Sequence, residues 1–184
     1  MGVVEIRKMS STHFGGENLY SVKAQDSVQN GHIVQLGDLE TGEQEVRTIK
    51  KVTNINEVQE LVLIAQPEMR YDFESRADKR RLEDFVIEDG KIVRGYGLRL
   101  GDIFGISEDL VTKKTSGNVE VGHWLVLEAN KLGYEEKDSD PKTTAKFVLK
   151  VEGKYNMNIA TQVARGKVLP VTKMLKVRVV KYDR

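Results

Sequence analysis

The chain has 184 residues, 39% of them hydrophobic and 31% charged, with 29 basic residues against 28 acidic ones and no cysteine. That length supports one domain with a sizeable core, the near-balanced charge argues against bulk binding to nucleic acid or an anionic membrane, and the missing thiols exclude disulfides, thiolate catalysis and Cys-ligated zinc. No segment approaches the roughly 18 consecutive apolar residues of a membrane span, and the opening Met-Gly-Val-Val-Glu-Ile has no signal-peptide core, so the chain is expected to be made in a cytoplasm and to stay soluble.

Residues 3–8 read as a first strand, followed by loop composition over 9–16. Residues 1–16 are therefore expected to form an N-terminal arm that packs on the body or on a neighbour, and 17–184 a single β-rich domain. Residues 18–22 form a short strand pattern, and Asn30-Gly31 is a turn signal between two strands. Residues 45–52 alternate through Val46, Thr48 and Val52, and 60–66 read as a buried strand that Pro67 must end, since proline cannot donate to a ladder. A polar excursion over 70–85 follows, of the kind that serves as an interaction loop. The turn at 88–91 leads into a strand over 92–98, and a further strand begins at Gly101. A helical turn near 107–110 separates it from another beginning at Gly122. Residues 135–144 read as an exposed loop. Strand patterns over 145–151, 155–164 and 174–180 close the chain, with Gly153 placed for the turn between the first two. No long helix with apolar residues at helical spacing appears. The expected fold is mainly β, a small sandwich or barrel-like body of about ten short strands.

One local signature is written three times: Gly31-His32, Gly101-Asp102 and Gly122-His123, each followed by an apolar strand. Glycine supplies the positive φ of a tight corner, and the polar residue after it can hold the turn. This assigns His32 and His123 to turn stabilisation rather than to a metal, since no His pair has ligand spacing. Asp138-Ser139-Asp140 opens like a calcium loop but has Thr143 and Leu149 where glycine and glutamate are required. The glycines at 95, 97 and 101 lack the spacing and the following Lys-Ser or Lys-Thr of a phosphate loop. No serine-nucleophile motif is present. No catalytic residue, cofactor or metal is expected. Arg76, Lys79, Arg80 and Arg81, interleaved with acids, suit a salt-bridged surface loop or a protein interface, and the basic residues over 173–184 suit the charges of an edge strand. Trp124, at an apolar strand position, reads as a core residue, the alternative being a sugar-stacking platform.

Three segments taken together look familiar: Asn30-Gly31 through Gly37-Asp38-Leu39 to Glu45-Val46-Arg47; Leu61-Val62-Leu63-Ile64-Ala65 with Pro67-Glu68 and Tyr71-Asp72; and Gly101-Asp102-Ile103-Phe104 with Ile106-Ser107. Over residues 18–127 the set resembles virion structural proteins of tailed bacteriophages, similar to head decoration or capsid-stabilising proteins. The resemblance implies a non-enzymatic protein on the outer capsid surface, made in the host cytoplasm. Its partners would be the major capsid protein and copies of itself, with no membrane and no direct nucleic-acid contact. A tail, baseplate or fibre-base component, or a host-surface carbohydrate-binding module, are the alternatives. Arm and loop would make the contacts, with Tyr71, Phe73, Arg76, Arg80 and Arg81 as anchors, because Arg and aromatic residues dominate interface energetics.

Overall fold

The computed structural model describes residues 2–12, 18–66, 86–115, 117–158 and 171–183. Among the described residues twelve strands run in chain order: β1 Val4–Lys8, β2 Leu19–Lys23, β3 Ile33–Leu39, β4 Val46–Lys50, β5 Leu61–Ile64, β6 Ile92–Gly97, β7 Ile103–Ser107, β8 Val111–Lys113, β9 Trp124–Leu127, β10 Tyr134–Lys137, β11 Phe147–Asn158 and β12 Val171–Tyr182. No α-helix occurs among the described residues, and none is long and apolar enough to cross a membrane. Strands β2-β4-β3-β5-β6 close into a five-stranded barrel, while β1-β7-β12-β11-β9-β10-β8 form an open seven-stranded sheet. The protein is therefore mainly β, with a barrel built against a sheet.

Strand β5 explains how the two parts join. All four of its residues are buried, as a strand covered on both faces requires. Val62 and Ile64 point into the barrel with Val22, Val34, Ile49 and Val93. Leu61 and Leu63 alternate to the other side and pack with Phe104, Leu149, Leu175 and Val177 of the sheet. The main core is thus shared, and the opposite face of the sheet is left outward. A small satellite cluster of Val126, Ala145 and Val148, with Trp124 and Val180 against it, lies apart from that core.

The strand expected at the start of the chain is β1, which packs on the body by pairing with β7, with Met9 behind it fully buried. Other expectations change. Gly153 makes no turn: β11 runs through it as one twelve-residue strand, and the register steps from Val151 opposite Val177 to Gly153 opposite Lys176. Glu152 is the extra residue of a β-bulge, a device that re-aims a side chain without ending the strand. Residues expected in an exposed loop from 135 begin inside β10, where Glu136 is buried. Strand β12, read as an edge, lies between β7 and β11, so its charges decorate a sheet face rather than guard an edge.

Candidate interaction face

The Gly-polar signature is a built device. Gly31, Gly101 and Gly122 have φ of 87°, 90° and 93°, the value a type II turn needs at its third residue. His32, Asp102 and His123 close these turns, their N–H groups donating to the carbonyls of Gln29, Arg99 and Glu120 at 3.2, 3.2 and 3.3 Å. Each corner then straddles one residue of a neighbouring strand. Gly31 donates to the Ile64 carbonyl, and Ile64 donates back to that of His32; Gly101 and Asp102 do the same with Val179, and Gly122 and His123 with Val151. The side chain after the glycine finishes the turn. His32 Nδ1 accepts from the Gln29 N–H at 3.1 Å, and Asp102 Oδ2 accepts from that of Arg99 at 2.8 Å. In the third copy Glu136 supplies the acceptor: its Oε1 takes the Glu120 N–H at 3.0 Å and His123 Nδ1–H at 2.8 Å.

These polar groups are structural, and two of them are pH-sensitive. Burial pushes the Glu136 carboxyl up, but hydrogen bonds from the Thr115 N–H, His123 and the Glu120 N–H outweigh it and hold the group below its usual range. Burial lowers His32 to about 4, so its ring stays neutral and keeps Nδ1 free to accept. Between pH 6.5 and about 4 the unfolded chain binds a proton that the folded one refuses. Stability is therefore expected to fall by roughly 2–3 kcal/mol as pH drops through that window, before the carboxylates with lowered values lose their share below pH ~4.3. Urea midpoints across pH check this. His32→Gln should flatten the arm between pH 6.5 and 4 whatever its own stability; an unchanged slope would remove His32 as the cause.

The outward face of the sheet carries a different chemistry. The register sets Trp124 of β9 opposite Lys150 of β11, Lys150 opposite Arg178 of β12, and Arg178 opposite Ile103 of β7. Trp124 is half-buried and lies beneath two ammonium groups, Lys142 Nζ at 4.6 Å and Lys150 Nζ at 5.0 Å from its ring centre. The bulged Glu152 bridges Arg178 Nε at 2.7 Å and Lys176 Nζ at 3.2 Å. Further along the same face, Arg7 stacks 4.5 Å over the Tyr155 ring, whose hydroxyl donates to Glu5 at 2.5 Å. Burial and the bonded Glu5 push the Tyr155 hydroxyl up to about 12. Tyr155 can lie there because residue 105 is glycine: a Cβ would sit 2.0 Å from its hydroxyl oxygen.

The proposed anchors Tyr71, Phe73, Arg76, Arg80 and Arg81 lie outside the described residues. Trp124, expected in the core, packs instead on the satellite cluster at the sheet surface. Lys142, Lys150 and Glu152 escaped the sequence reading, because a bulge, a three-strand register and the return of the 141–143 turn over β9 bring them to one face without a local motif; Glu136 escaped it because its partners Thr115, Glu120 and His123 lie on other segments. Among the described residues no group of three or more His, Asp or Glu could hold a metal. No family model, no curated protein and no solved structure matches the chain.

Proposed function

We propose that this protein is a non-enzymatic docking module, a β body that offers one open sheet face to a larger assembly. Its particular role, on the resemblance carried by residues 18–127, is that of a phage virion structural protein that binds the outer capsid surface and stabilises the head. One observation supports the docking role above the others. The seven-stranded sheet buries one face against the barrel and leaves the other bearing Arg7, Tyr155, Trp124 and Arg178, the residue types that anchor protein interfaces. Many weak copies on one shell would share the load through multivalent contact.

Co-sedimentation of the purified protein with undecorated heads, with tails and naked DNA as controls, tests the proposal. Saturable binding to heads alone is the expected result and yields the stoichiometry. Binding to tails instead would move the protein to a tail or baseplate role, and binding to no virion part would overturn the virion reading.

A further inference from the structure

The geometry points to a docking site for an acidic protein surface on the outer face of the seven-stranded sheet, centred on Lys150. The inference rests on the docking role proposed above and names the contact face and the chemistry of its partner. An open depression of about 600 Å³ lies over β9, β11 and β12, and Trp124, Lys142, Lys150, Glu152, Lys176 and Arg178 line it. Four cations there meet one carboxylate, and Glu152 is already shared between Lys176 and Arg178. Lys142 pairs with Asp140 at 3.3 Å, outside the lining. Lys150 makes no ion pair among the described residues, and its ammonium rests on the Trp124 ring.

The register makes this arrangement costly. Lys150 and Arg178 stand directly opposite each other on neighbouring strands, and like charges so placed destabilise a sheet. Folding gains nothing from that pair; a carboxylate arriving from outside would be attracted by both. Beside the cations, Val121 is 54% exposed and Val180 half-buried, so the site joins an apolar shelf to a positive one. That mixture fits a protein surface, where apolar anchors and charges alternate. A polyanion such as nucleic acid is recognised by a larger basic excess than a chain of net charge +1 supplies. A neutral sugar needs a bare aromatic face, and the Trp124 ring has two ammonium groups over it.

Trp124 is the single tryptophan of the chain, so its fluorescence reports this site alone. Titration with a short poly-glutamate peptide is expected to give a saturable change that added salt weakens. Lys150→Glu and Lys142→Glu should each weaken it roughly tenfold. Lys150→Glu should melt close to the wild type, because the attraction it gains across from Arg178 offsets the contact its ammonium loses on the Trp124 ring. A stronger response to oligothymidylate than to the peptide, or no response to the peptide, would overturn the inference. Heads then separate the two readings. If heads bind the wild type and a variant carrying both Lys142→Glu and Lys150→Glu equally, this face is not the contact and head binding stands. If the peptide binds but heads do not, the acidic docking site stands and the capsid reading fails.

Discussion

Phe104→Ala is expected to cost about 3–5 kcal/mol of unfolding free energy and to do so in one transition. Phe104 is fully buried on β7, opposite Ile6 of β1 and Val177 of β12. It packs in the core that also holds Leu61 and Leu63 of the barrel strand β5. Truncation removes the transfer energy of a ring and leaves a cavity that two pairing strands cannot collapse. Because barrel and sheet bury the same core, they should unfold together. Urea unfolding followed by Trp124 fluorescence, which sees only the sheet, and by far-UV circular dichroism, which sees both parts, should give coincident curves. Leu63→Ala, a change on the barrel side, should shift the Trp124 curve as well. Two separated transitions, with the fluorescence curve unmoved by Leu63→Ala, would show that the core is not shared in energy.

Glu136→Ala is expected to cost about 3 kcal/mol. The Glu136 side chain has no solvent exposure. Its two oxygens take the N–H groups of Thr115 at 2.8 Å and Glu120 at 3.0 Å together with His123 Nδ1–H. Bonds to a charged acceptor contribute roughly 1.5–3 kcal/mol each, and donors left behind lose more wherever water cannot replace the carboxylate. The partial exposure of His123, 26% at its side chain, limits the total. Glu136→Gln keeps a carbonyl acceptor and should lose about half as much. The wild-type carboxyl sits below its ordinary range, so its contribution is present at neutral pH and is lost on acidification through the folded-state value. Denaturation midpoints at neutral and acid pH measure this: the gap between wild type and Glu136→Ala should close as pH falls. A constant gap would mean that the alanine costs packing rather than hydrogen bonds.

How much of this was legible in the sequence depends on the range of the interaction. The corners at Gly31, Gly101 and Gly122 were legible because a positive φ is a local demand that only a few residues meet; at the first two the polar side chain beside the glycine also bonds within the same turn, whereas at the third His123 reaches Glu136 of β10. The buried run at β5 was legible because a strand covered on both faces cannot alternate. Gly153 misled: a glycine inside a strand pattern signals either a turn or a bulge, and the choice was made by the pairing of Val151 with Val177 and Gly153 with Lys176. The acidic stretch after 134 misled too. Glu136 looks solvated in sequence, and only the distant N–H groups of Thr115 and Glu120 make its burial affordable.

By itself, the sequence determined the class of fold, the corners and most strand positions, since periodicity, β-branching and glycine placement act over a few residues. Only the tertiary structure decided that five strands close into a barrel while seven stay open, and that β12 lies inside the sheet. It also decided that Trp124, Lys150 and Arg178 share one row. Those outcomes depend on pairing between strands dozens of residues apart, and on which face of each strand the shared core takes; composition and spacing along the chain do not encode either.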